Sequence, residues 1–106
     1  MAFSCEVEVA AGVAKITLQG ELDASVAGQF KSAVEQAAAE RPQKLVLFLR
    51  ELEFMASAGL RVLIFAKQKM GADVAIHVVG ASGPVLRTLE MSGFHHSVYI
   101  SDTFEG

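Results

Sequence analysis

The chain has 106 residues, enough for one domain with a core that folds alone and too few for two. Nine Lys and Arg against twelve Asp and Glu give a net charge of -3, with no basic block, so the electrostatic footprint of a nucleic-acid binder is missing and no direct nucleic-acid partner is expected. At 52% apolar and 20% charged the chain is too hydrophobic for a disordered regulator, yet no apolar run approaches the roughly 20 residues of a membrane span.

In chain order, Phe3, Cys5, Val7 and Val9 alternate with Ser4, Glu6 and Glu8, and a second alternation follows Ala11-Gly12, with Ala14, Ile16 and Leu18 against Lys15, Thr17 and Gln19. This predicts an antiparallel hairpin. From Asp23 to Glu40 the period becomes helical, with Val26, Phe30, Ala33, Val34 and Ala37 on one face and Asp23 reading as the N-cap. Arg41-Pro42 ends that helix, because proline restricts the residue before it and donates no hydrogen bond. Leu45 to Leu49 is apolar on both alternating sides, which predicts a central strand covered by helices on at least one side; a sheet covered on only one face fits less well.

Ser57 to Met70 reads as a second long helix, with Leu60, Leu63, Ile64, Ala66 and Met70 inward and Arg61, Phe65, Gln68 and Lys69 outward. A strand follows at Val74 to Val79, then a short helix from about Pro84 to Met91, opened by Ser82 and closed near Gly93, then a last strand at Val98 to Ile100. The alternation defines an α/β domain over residues 1–106, with about five strands in a mixed sheet and helices packed against it.

Few residues carry chemistry. The start of the chain lacks a basic segment followed by an apolar one, and Cys5 is the single cysteine, so a cytoplasmic location without disulfides is expected. No CxxC or HExxH spacing is present, so neither metal nor other cofactor is expected. Gly80-Ala81-Ser82-Gly83-Pro84 lacks the lysine and spacing of a phosphate-binding loop. Ser57 has no surrounding nucleophile elbow, and His77, His95 and His96 lie far along the chain, so a hydrolase is a distant reading and no catalytic residue is assigned.

The helix entry Phe54-Met55-Ala56-Ser57-Ala58-Gly59-Leu60 is more informative. Ser57 reads as an N-cap, accepting one of the amide hydrogens left unpaired in the first turn. A phosphoryl group there would face those amides and the positive helix end, adding about 1.5 to 2 negative charges. Small Ala56, Ala58 and Gly59 would let a partner approach closely. Strands of a parallel sheet end on one side, so Asp23 is expected near Ser57, able to order a hydroxyl or a partner's magnesium-bound phosphate while repelling a phosphorylated Ser57. Glu21 reads as a solvated turn residue.

The order of elements, together with Leu18-Gln19-Gly20-Glu21-Leu22-Asp23, Leu45 to Leu49, the Phe54 to Leu60 segment, Val78-Val79-Gly80, Pro84 to Leu89 and Met91-Ser92-Gly93-Phe94, resembles the STAS domains of bacterial anti-sigma factor antagonists over nearly the whole chain. The resemblance implies a STAS-like fold. It also implies a non-enzymatic protein that binds a serine-kinase anti-sigma factor, is switched off by phosphorylation of Ser57 and is reactivated by a PP2C-type phosphatase. Asp23 matches an acidic residue of the family's kinase-facing surface, and Glu21, Ala56, Ala58, Gly59, Arg61 and Phe65 complete the expected partner surface. The family commonly has DSSG where this chain has Ala56-Ser57-Ala58-Gly59. The alternative is a constitutive scaffold or subunit of a stressosome-like or lipid-transport assembly, suggested by the altered neighbourhood of Ser57 and an outward Phe65.

Overall fold

The computed structural model describes residues 2–104. Strands β1 (Ser4–Ala10) and β2 (Val13–Leu22) form the expected antiparallel hairpin, Val7 opposite Ile16 and Cys5 opposite Leu18. Its two-residue turn has positive φ at both Ala11 (53°) and Gly12 (79°), the mirror-image turn whose twist suits a hairpin. Helix α1 (Ala27–Ala39) leads to β3 (Lys44–Met55), α2 (Ser57–Met70), β4 (Ala75–Val79), α3 (Gly83–Ser92), a 3-10 turn at Phe94–His96 and β5 (Tyr99–Ser101). The strands lie in the order β1-β2-β3-β4-β5, and every pairing after the hairpin is parallel.

All three helices cover one face. Ala14, Ile16, Leu18, Leu45, Leu47, Leu49, Ile76 and Val78 form a single core with Phe30, Ala33, Val34 and Ala37 of α1, Val62, Leu63 and Ala66 of α2, and Val85 and Leu89 of α3. The expectation that a one-sided sheet fits poorly is therefore corrected. The apolar run of β3 does have two buried sides, but Val46, fully buried, lies on the helix-free face outside that core. There it stands in a row between Lys15 and His77, and the ring of Phe104 lies near both of those neighbours.

Helix phases needed correction too. On α2 the buried residues are Gly59, Val62, Leu63 and Ala66, a stripe at i, i+3, i+4 and i+7. Ile64, expected inward, is 41% exposed, and Phe65, expected outward, packs half-buried against the core with the Lys31 ammonium 4.9 Å from its ring centre. Reading Gly59 as a surface position rotates the stripe; in the structure it packs directly against Leu22 of β2.

Beyond Phe48, which pairs with Val79, β3 runs on for seven residues without β4 and keeps only β2 as a strand neighbour. Register shifts between Thr17 and Gln19 and between Gly20 and Glu21 bend this two-stranded extension, as bulges do. Leu52 and Met55 point into the core, while Thr88 of α3 donates to the Pro84 carbonyl at 3.0 Å and comes within 3.4 Å of the Met55 carbonyl. The extension carries the candidate site.

Candidate functional site

At the tip of this extension, Leu22 pairs with Met55, and the Ala56 amide donates to the Leu22 carbonyl at 2.8 Å. Asp23 and Ser57 each follow by one residue, so the two loops that the sequence placed at one sheet edge are joined there. Glu21 pairs with Phe54, and both are exposed.

Ser57 is not the N-cap. That position belongs to Ala56, whose extended backbone (φ -78°, ψ 168°) suits a capping residue but whose side chain offers no acceptor. Ser57 is the first helical residue, and its side chain is solvent-exposed. The Ala56 carbonyl accepts from Gly59 at 3.0 Å and Leu60 at 3.1 Å. The first-turn amides of Ser57 and Ala58 point out of the helix, as its geometry requires, and α2 has no acidic residue in that turn. The helix start is thus an exposed hydroxyl beside a positive helix end.

Asp23 does not cap α1 either. Its Oδ1 accepts from the Ser25 amide at 2.9 Å and the Ser25 hydroxyl at 2.6 Å, closing a local turn, the Asx geometry that competes with helix entry. Helix α1 therefore starts only at Ala27, with Val26 at the N-cap position. The hydroxyl bond from Ser25, helped by backbone amides, holds the Asp23 carboxyl below the usual carboxylate range, so it is ionised at neutral pH.

Of the remaining expected contact residues, Ala56 and Ala58 are half-exposed beside Ser57, and Arg61, exposed one turn later, shares its helix face. Gly59 faces inward. A Cβ there would lie 2.6 Å from Leu22 Cδ2 and 2.7 Å from Leu22 Cγ, so its lack of a side chain serves the α2–β2 contact. Phe65 sits two turns from Ser57, half-buried. Phe54, 44% exposed, is not among the expected contact residues, because the apolar run that marks the strand in sequence stops at Leu49; a lone aromatic between Glu53 and Met55 is the signal that points to it.

The histidines lie elsewhere. His77 pairs with Val46, nine residues and about 30 Å along β3 from the site, and His95 Nδ1 lies 3.4 Å from the Leu89 carbonyl. Burial, with Lys44 nearby, lowers the pKa of His77. Among the described residues no helix is long and apolar enough to cross a membrane.

A model of the STAS domain matches residues 4–106: the chain belongs to the STAS domain family, within the group of bacterial anti-sigma factor antagonists. It is 34% identical over 107 residues to an anti-sigma F factor antagonist of Paenibacillus polymyxa, covering 96% of this chain and 89% of that one. It is 29% identical over 92 residues to the anti-sigma-F factor antagonist RsfB of Mycobacterium tuberculosis, covering 87% and 75%. The crystal structure of an anti-sigma factor antagonist from Mycobacterium paratuberculosis superposes with a TM-score of 0.89 at 26% identity, covering 97% of this chain and 88% of that one.

Proposed function

We propose that the chain is a cytoplasmic, non-enzymatic anti-sigma factor antagonist that binds a serine-kinase anti-sigma factor through the β2–β3 tip and the start of α2, and is switched off by phosphorylation of Ser57. The observation that carries this reading is the exposed Ser57 hydroxyl at the first position of a helix, a site open to a kinase and electrostatically suited to a phosphoryl group. The relatives named as antagonists of anti-sigma factors support the partner class.

In this reading Phe54 and the half-exposed Ala56 and Ala58 form the contact floor, with Asp23, Glu21 and Arg61 at its rim. Asp23, ionised and held by Ser25, presents a fixed negative charge to a basic or magnesium-bearing surface on the kinase. Phosphorylation adds about 1.5 to 2 negative charges to the same patch and weakens that contact. The patch has no acidic residue at positions 56 or 58, so the phosphoryl group meets no adjacent like charge there. A PP2C-type phosphatase restores the binding form.

Incubation with the cognate kinase and ATP, followed by intact-mass and fragment analysis, should place one phosphoryl group on Ser57. Calorimetry should then show binding by the unmodified chain and by Ser57→Ala, and weakened binding by the phosphoprotein and by Ser57→Asp. Equal binding by all four forms, or a partner set of transporter or scaffold subunits without any serine kinase, would overturn the reading in favour of a constitutive assembly role.

A further inference from the structure

The face of the sheet opposite the helices plays no part in the proposed switch, and it is occupied by the chain itself. Across it runs one row of side chains, Glu8, Lys15, Val46, His77 and Tyr99, one from each strand. His77 stacks on Tyr99 with ring centres 5.1 Å apart. The residues after β5 turn back over this row. The Gly80 amide donates to the Ser101 carbonyl at 2.9 Å, the Arg50 guanidinium donates to the Asp102 carbonyl, and the Ser101 hydroxyl donates to the Thr103 carbonyl at 2.8 Å. Phe104 then lies edge-on to His77, ring centres 5.5 Å apart, with the Lys15 and Lys44 ammonium groups 5.9 and 6.0 Å from its ring centre. A hollow of about 320 Å³ continues from the ring along Glu8, Ala10, Ala11, Val13 and Lys15.

We propose that this helix-free face is a docking site for an extended segment of a partner protein bearing an aromatic residue flanked by carboxylates, and that residues 101–104 occupy it in cis as a competitor. The floor is apolar at Val46 and aromatic at His77, and two ammonium groups sit where they attract a ring face. Lys15, Lys44 and Arg50 form a cationic rim suited to flanking carboxylates, with Glu8 beside Lys15 and Glu6 one row away as opposing charges on β1. Phe104 preceded by Asp102 is the chain's own version of that ligand. The cover is weakly held: β5 has three residues, all exposed, its last residue accepts from Gly80, and residues 102–104 are tied to the rest of the chain by the Arg50–Asp102 bond and one ring, the Ser101–Thr103 bond being local to the segment. Such a segment opens locally well before the core does. The hollow beside the ring leaves room for a longer occupant than the cis segment.

The test uses the full chain and its Phe104→Ala variant, with side-chain resonances followed by NMR, and a blocked peptide of residues 101–105 as the probe. Phe104→Ala should shift the resonances of His77, Tyr99 and Lys15. Added peptide should shift the same groups, and should bind the variant about tenfold more tightly than the unaltered chain if Phe104 covers the site nine-tenths of the time. A peptide with Ala for Phe should bind neither chain, and one with Asn and Gln for its acidic residues should bind several-fold more weakly. The proposal is overturned if Phe104→Ala leaves His77 unmoved, if the peptide fails to bind the variant or binds both chains equally, or if the Ala peptide binds as well as its parent.

Discussion

Replacing Ala56 by aspartate puts an acceptor at the one position of the α2 start whose backbone is already arranged for a cap and whose side chain cannot act as one. The outward-pointing amides of the first turn gain a partner, a change that contributes about 1 kcal/mol in comparable helices. A negative charge at the positive helix end adds about 0.3 to 1 kcal/mol. Against this stands the repulsion of the Asp23 carboxylate, ionised in the adjoining loop and screened by solvent at the surface. The sum is a net stabilisation of about 1 kcal/mol, or a rise of roughly 4 to 8 °C in Tm for a domain of this size. Ala56→Asn supplies the acceptor without the charge, so it should keep most of the gain, and the Asp–Asn difference should shrink in high salt.

The pH dependence has a definite sign. The ionised form of the new carboxylate is the bonded one, so its folded pKa lies below the unfolded value of about 3.9. The gain is therefore fully present above that value and disappears as pH falls through the folded pKa. Urea unfolding followed by circular dichroism, at pH 7 and again near pH 3, measures both, with an unchanged m-value expected. If Ala56→Asp is no more stable than the parent at pH 7, or keeps its full gain near pH 3, Ala56 does not hold the cap position and the reasoning fails.

Ser57→Ala should change stability by less than about 0.5 kcal/mol, because Ser57 lies inside the helix and makes no cap bond; a loss of 1 kcal/mol or more in denaturant titration would restore it as the cap. Gly59→Ala, a stabilising change in an open helix, should here cost about 1 to 3 kcal/mol, since the new Cβ would lie 2.6 Å from fully buried Leu22; thermal unfolding above the parent's Tm would refute this. Ser25→Ala removes the main cause of the lowered Asp23 pKa, so an NMR titration should show that pKa rising toward the ordinary carboxylate value. Cys5, whose pKa is pushed up to about 11 by burial and then by Glu6, should react slowly with a thiol reagent at pH 8 until the chain unfolds. Its thiol form favours the folded state below the unfolded pKa, and that contribution fades as pH rises from about 9 toward 11.

Periodicity carried the long elements because each turns a regular stripe toward one core: the β1–β2 alternation, the α1 stripe at Phe30, Ala33, Val34 and Ala37, and Leu45, Leu47 and Leu49 of β3 all appear in the structure where the pattern puts them. Local chemistry was read less well, for two physical reasons. Asp23 and Ser57 are good capping residues, yet each has a competitor one sequence alone does not weigh. Asp23 finds Ser25 two residues on, and Ser57 loses the cap because the helix bonds already begin at the Ala56 carbonyl, one residue earlier. Glycine was the second blind spot. Gly59 counts as neutral in any hydrophobic pattern, although its burial against Leu22 sets the phase of the whole α2 stripe.

The helix-free face shows the limit of one-dimensional reading most directly. An apolar β3 implied cover on both sides, and helices were the obvious cover. In the structure a four-residue segment lies over that face instead, with its Phe104 ring beside His77 and Lys15, the neighbours of fully buried Val46. Phe104 lies 58 residues from Val46 in sequence and within no periodic pattern, so only the fold reveals what it does. The two faces consequently divide the chemistry between them. The helix-covered side positions Ser57 at the end of the two-stranded extension, and the open side carries the aromatic residue that follows β5. Displacing Phe104 should therefore leave the geometry at Ser57 unchanged: in the Phe104→Ala chain the amide resonances of Ala56 to Leu60 should not move, whereas movement there would show that the two faces are coupled.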